Sequence, residues 1–333
     1  MKKLVFFFIA FLFGFTAAYF VLPYLTKNKT LPIINQINEK PLDKYTIENL
    51  STAQITPAKI EINKLLTSGQ NFNSSLFYLS VSPSLNPKET KKISGLINIP
   101  NQSKLSPLVV LFRGYVDQKT YQSGDGTKRV GEYLAENGYI TLAPDFLGYG
   151  ESDKEAENIF ESRFQSYVTA ITLLKSLNSI EKWDGKNVFI WAHSNGGQIA
   201  LTALEVSQET YPTVLWAPVS KPFPYSILFY TDESDDRGKL IRQELAKFEE
   251  LYNPDLYSTD RYFERLKAPI QLHQGTNDDA VPVNWSDSLS NSLQNLDKDI
   301  SYIKYPGADH NLNPSWNLAI RNSLSFFDKY LTK

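Results

Sequence analysis

Trp191-Ala192-His193-Ser194-Asn195-Gly196-Gly197 follows the apolar run Val188-Phe189-Ile190 and leads into Gln198-Ile199-Ala200-Leu201. An apolar run that enters a cluster of small residues and leaves as a helical pattern predicts a strand, a sharp turn and a helix, with Ser194 at the apex. The small residues have a steric reason. Where a strand folds straight back into a helix around a residue in a sparsely populated backbone conformation, bulky groups two positions to either side collide. Ala192 and Gly196 occupy those positions, and Gly197 lets the helix pack close. Any strand-to-helix turn can carry small residues and a serine, so the weight of this stretch depends on the partners the rest of the chain supplies.

The chain has 333 residues, 42% of them apolar and 21% charged, enough for one large α/β domain with appendages. A net charge of -2 and a pI near 6.0 provide no electrostatic footprint for nucleic acid. There is no cysteine, which excludes disulfides, thiolate metal sites, a cysteine nucleophile and a lipidated cysteine. The three histidines are His193, His273 and His310, and no two lie at metal-ligand spacing.

Outward from the serine, the chain divides by pattern. Leu4 to Leu25 carries no charge and follows Lys2-Lys3. The stretch is long enough to span a bilayer, and the expectation is an uncleaved single-pass anchor over residues 1–25 with the remainder extracytoplasmic. Cleavage as a signal peptide near Thr16-Ala17-Ala18, leaving a secreted protein, is the alternative. Residues 26–59 are polar and proline-punctuated and read as a tether with a short helix near Lys44–Leu50. Residues 60–333 read as the main domain. In it, Ser75–Val81 and Lys92–Pro100 predict antiparallel strands. From Leu108–Phe112 onward, buried apolar strands alternate with amphipathic helices. The strands are expected at Tyr139–Ala143, Val188–Ala192, Thr213–Ala217, Ile270–His273 and Ile300–Tyr305. This alternation implies a mostly parallel sheet with helices on both faces. Residues 221–267 break the rhythm with Pro222, Pro224, the aromatic residues Phe223, Tyr225, Phe229 and Tyr230, and an acidic loop. A connection of this length is commonly functional, and the expectation is a small helical cap whose four aromatics line an apolar substrate pocket.

A serine that attacks an acyl carbon needs a base, an acid to orient the base, and donors for the developing oxyanion. The Ala192-His193-Ser194-Asn195-Gly196 stretch is similar to the nucleophile elbow of the α/β-hydrolases, usually G-x-S-x-G, whose acid and base follow the serine in that order. Only His310 lies downstream of both the elbow and an acidic loop. The acid comes from His273-Gln274-Gly275-Thr276-Asn277-Asp278-Asp279-Ala280-Val281-Pro282, where Asp278 is the choice and Asp279 the alternative, because adjacent side chains point apart. His193, next to Ser194 on the strand, is expected to point away as a bystander, and His273 to pack in the interior. For the oxyanion, the backbone N–H groups of Asn195 and of Tyr115, in the loop Arg113-Gly114-Tyr115, are the expected donors. Asp145, in Pro144-Asp145-Phe146-Leu147-Gly148-Tyr149-Gly150-Glu151-Ser152, reads as a scaffold residue. This segment lacks the Gly-Lys-Ser/Thr ending of a phosphate loop.

Together the Ser194 elbow, the Asp278 loop, the His310 loop and the Pro144–Ser152 segment resemble the catalytic domain of the prolyl oligopeptidase group of α/β-hydrolases. The neighbouring dienelactone hydrolase and acyl esterase branches are also similar. The likeness covers roughly Ile93 to Leu331 and implies an eight-stranded sheet and a Ser194-Asp278-His310 triad with no cofactor and no metal. It departs from the group at Ala192 and at Arg113, where a histidine usually stands, and 26–106 is too short to hold a propeller. The function expected is hydrolysis of a small or medium carboxylic ester. Cleavage of short peptides is the alternative, and a non-catalytic binding protein on the same fold is a distant third. The expected partners are a small-molecule ester or short peptide, together with a membrane through the N-terminal helix, and no nucleic acid. Oligomeric state is not readable from the sequence.

Overall fold

The computed structural model describes residues 40–332. Pro41 onward forms one compact unit built on a nine-stranded sheet. Its strands are β1 (Glu61–Ser68), β2 (Phe72–Val81), β3 (Lys91–Pro100), β4 (Ser106–Phe112), β5 (Ile140–Pro144), β6 (Trp183–His193), β7 (Thr213–Trp216), β8 (Ile270–Gly275) and β9 (Ile300–Tyr305). They lie in the order β1-β2-β3-β5-β4-β6-β7-β8-β9. The first three strands and the β3–β5 junction are antiparallel, and the six strands from β5 to β9 in that order are parallel.

The helices that cover the sheet are α1 (Ile47–Thr52), α2 (Lys128–Glu136), α3 (Ile159–Lys175), α4 (Asn195–Ser207), α5 (Tyr225–Leu228), α6 (Lys239–Leu251), α7 (Val283–Asn295) and α8 (Trp316–Lys329). The two faces can be read from alternation along the central strands. Leu108, Val110 and Phe112 of β4 and Val188, Ile190 and Ala192 of β6 share one core with residues of α1, α3, α4 and α7. Val109 and Leu111 of β4 and Phe189 and Trp191 of β6 share the other with α2 and α8. Burial on both faces is why these strands are apolar without a break.

The sheet has nine strands where eight were expected. The additional one, β1, is an edge strand paired only with β2, and all eight of its residues are exposed, so it carries no buried alternation to mark it. Residues 41–59 also differ from the expected tether. Leu42, Tyr45, Ile47, Leu50 and Ile55 bury themselves in the α3/α4 core, because short apolar anchors spaced along a polar stretch suffice to pack it down. The expected membrane-spanning stretch, 4–25, lies outside the described residues. The anchored, extracytoplasmic placement is corrected, because no helix among the described residues is long and apolar enough to cross a membrane.

The segment between β7 and β8 is helical, with α5, α6 and several short 3-10 turns. Phe223 is not a pocket residue: it is only 2% exposed and packs edge-on against Phe160 and Phe248, with Phe164 and Tyr257 around it. An aromatic cluster of this size buries enough apolar area to clamp the segment onto α3.

Candidate active site

Ser194 sits between the end of β6 and the first turn of α4 with φ 54° and ψ -122°. This is a strained conformation for a side-chain-bearing residue, and it holds the serine at the tip of the turn. Two glycines make that turn possible. A Cβ on Gly196 would lie 2.1 Å from the Phe112 carbonyl oxygen, and one on Gly114 would lie 2.8 Å from Ser194 Cβ and 3.4 Å from its Oγ. The loop after β4 therefore presses directly on the nucleophile candidate. Ser194 is further pinned through its N–H to the Trp216 carbonyl at 3.0 Å, while its own carbonyl accepts from Val219 N–H at 2.9 Å.

The loop 113–127 is braced from below. Arg113 donates to the Gly114 carbonyl at 2.9 Å and the Asp145 carbonyl at 3.0 Å, and its guanidinium lies 4.0 Å from the centre of the Tyr149 ring. The buried Asp145 carboxylate accepts from Ser94, Tyr121 and Ser123 hydroxyls, which ties the loop to β3 and β5. Asp145 is thus a scaffold residue. Neither the Tyr115 N–H nor the Asn195 N–H donates a hydrogen bond among the described residues, and the Tyr115 side chain is 79% exposed.

The loops following β8 and β9 bring Asp278 and His310 together. Asp278 Oδ2 stands 2.9 Å from His310 Nδ1. Asp278 Oδ1 accepts the Ala280 and Val281 N–H groups at 2.9 and 2.8 Å, and Gln274 Nε2 donates to Oδ2 at 2.8 Å. Burial pushes the Asp278 carboxyl up, but the hydrogen bonds from His310 and Val281, the charge on His310 and the Gln274 amide outweigh it. The carboxyl is held below its usual range. Asp279 is exposed. The two loops are cross-tied by Asn277 N–H to the Ala308 carbonyl at 2.9 Å and Gly307 N–H to Thr276 Oγ1 at 2.8 Å. Asp309 folds the His310 loop by accepting the Asn311 and Asn313 N–H groups.

Of the other histidines, His273 is fully buried, bonded to Tyr305 and Gln271 side chains at 2.8 Å each, and burial pulls its pKa down to about 3. His193, read from the sequence as a bystander, contacts the His310 loop. Its side chain leaves β6 on the face of Phe189 and Trp191, but the His310 loop wraps over that face. His193 Nε2 is 3.0 Å from the His310 carbonyl oxygen and the two rings are 4.6 Å apart.

The aromatics of the 221–267 segment divide. Tyr225 and Phe229 are 61% and 49% exposed. Tyr230 donates to the Ala280 carbonyl at 3.1 Å and joins Val219, Val281 and Trp285 in a small apolar cluster. Phe229 packs edge-on against Tyr230 and Trp285 at 5.0 and 4.9 Å. Trp285, in the first turn of α7, was missed from sequence. The available signal was an aromatic three residues beyond Pro282, on the helix that follows the acidic loop. Among the described residues no group of three or more His, Asp and Glu could hold a metal ion.

Comparison with known proteins bears on the family and the fold. Residues 127–333, well over half of the chain, match the prolyl oligopeptidase family. An acetyl esterase of Xylanibacter ruminicola is 22% identical over 279 residues, which cover 74% of this chain and 58% of the esterase. Among solved structures, an acetyl xylan esterase from a Paenibacillus species superposes with a TM-score of 0.64 at 18% identity, covering 86% of this chain and 92% of that one. A puromycin-hydrolyzing peptidase of Mycobacterium tuberculosis superposes with a TM-score of 0.56 at 17% identity, covering 82% of this chain and 39% of the peptidase. Both likenesses are to the α/β-hydrolase fold. The chain belongs to the prolyl oligopeptidase family of serine hydrolases.

Proposed function

We propose that the protein hydrolyses carboxylic esters with small or medium acyl groups through Ser194, His310 and Asp278. The observation that carries this reading is the Asp278–His310 contact. The ionised carboxylate only accepts, so Nδ1 of His310 carries the hydrogen and Nε2 is left with the lone pair that a base requires. In the reaction His310 Nε2 takes the Ser194 proton as Oγ attacks the acyl carbon. The N–H groups of Asn195 and Tyr115 receive the oxyanion, and the imidazolium is stabilised by Asp278. His310 then protonates the leaving alcohol, and water, deprotonated by the same nitrogen, releases the acid and restores Ser194.

Phe229, Tyr230 and Trp285 with Val219 and Val281 supply an apolar wall for the acyl group. One hydrogen bond joins that wall to Ser194, through Val219, and another joins it to Asp278, through Val281. The acetyl esterase relative supports a short acyl chain. A second reading, cleavage of short peptides, is favoured by the family match itself. A panel of p-nitrophenyl esters of increasing acyl length against alanine and proline p-nitroanilides separates the two. Ester turnover that falls with chain length is expected; anilide turnover without ester turnover contradicts the proposal.

A further inference from the structure

His193 contacts the His310 loop and lies beside the loop that carries the Tyr115 amide. It precedes Ser194 by one residue. Its Nε2 meets the His310 carbonyl oxygen at 3.0 Å, and because a carbonyl can only accept, Nε2 carries the hydrogen and Nδ1 the lone pair. Its ring lies 4.6 Å from the His310 ring at a tilt of 42°. On its other edge, Nδ1 is 3.4 Å from where a Cβ on Gly114 would stand, directly before the Tyr115 amide. The ring also stacks on Trp191 and borders a cavity of about 410 Å³ lined by Trp191, Trp216, Trp316, Arg129 and Asn311.

We propose that His193 is a positioning residue for the catalytic base: its Nε2–H anchors the His310 main chain and so fixes the base relative to Ser194 and the oxyanion donors. The inference rests on the reading of Ser194, Asp278 and His310 as the reacting set. An anchor in this place has to be uncharged, because His310 becomes an imidazolium in the transition state and a second cation 4.6 Å away opposes it. His193 meets that requirement. Burial, and then the neighbouring His310, lower its pKa to about 4, so it is uncharged near neutral pH.

The test compares His193→Leu, which keeps bulk and removes the donor, with His193→Gln, which keeps an N–H at similar reach. Steady-state hydrolysis of p-nitrophenyl acetate is measured beside thermal melting. The expected result is a fall in kcat of about tenfold in His193→Leu, the size of one lost hydrogen bond. KM is expected to change little, and His193→Gln to recover most of the loss at an equal melting temperature. Wild-type kcat in His193→Leu, or equal losses in both variants, overturns the proposal. Should His193→Leu not fold, His193→Asn, polar but too short to reach the carbonyl, takes its place with the same expectation. Fluorophosphonate labelling of Ser194→Ala is run in parallel. If that variant still labels, the underlying set is wrong; if it does not and His193→Leu is unimpaired, only the role of His193 fails.

Discussion

The carboxylate of Asp278 and Nδ1 of His310 lie 2.9 Å apart across the gap between the loops that follow β8 and β9. Asp279, one residue on, is exposed. Asp278→Asn keeps the shape but lets the amide donate, which favours the wrong imidazole tautomer. The expected loss in kcat is on the order of 10⁴-fold, whereas Asp279→Asn stays near wild type. Steady-state kinetics on a p-nitrophenyl ester checks the pair, and the reverse ranking refutes the assignment of the acid.

Gly114 is predicted to tolerate no side chain without a functional loss. A Cβ there would lie 2.8 Å from Ser194 Cβ, so the 113–115 loop has to move away from the serine. For Gly114→Ala the expectation is a fall in kcat on the order of 10²-fold, the cost of a displacement of about 1 Å in a reacting set. Unchanged kcat means that the 113–115 loop is not part of the site.

Phe223 and Tyr225, two residues apart, are predicted to behave oppositely. Phe223→Ala opens a hole in a ring of five aromatics and is expected to cost about 3–5 kcal/mol of stability. Tyr225→Ala, at a 61% exposed position, is expected to stay within about 0.5 kcal/mol of wild type. Urea denaturation measures both.

The contrast between those two residues marks the boundary of what the sequence makes legible. Composition and order identify an aromatic cluster, but which ring faces the core depends on α3 and α6 packing from elsewhere in the chain. The parallel strands were readable because burial on both faces leaves Leu108–Phe112 and Val188–Ala192 apolar without interruption. β1 was not, since all eight residues are exposed and no alternation is imposed on them. Ser194, Asp278 and His310 stood out as candidates because each follows a parallel strand at its carboxyl end. The contact of His193 did not. Strand alternation correctly sends its side chain to the other face from Ser194, and only the path of the His310 loop brings that loop over it.

His273 predicts the acid dependence of stability. Burial lowers its pKa from 6.5 to about 3, so between those values the unfolded chain binds a proton that the folded chain refuses. Unfolding therefore takes up protons, and stability rises with pH across the window and falls as pH drops below 6.5. The contribution is about 1.4 kcal/mol per pH unit near the middle of the window. Urea midpoints at pH 4 to 7 for wild type and His273→Gln are the check: the variant is expected to show the shallower slope, and parallel slopes contradict the assignment.

The central claim is that Ser194 is the nucleophile of this hydrolase. The most direct measurement is labelling with a fluorophosphonate probe followed by peptide mass spectrometry. The account predicts a single adduct on Ser194 in the wild-type protein and none in Ser194→Ala. An adduct on another residue, or equal labelling of the two proteins, contradicts it.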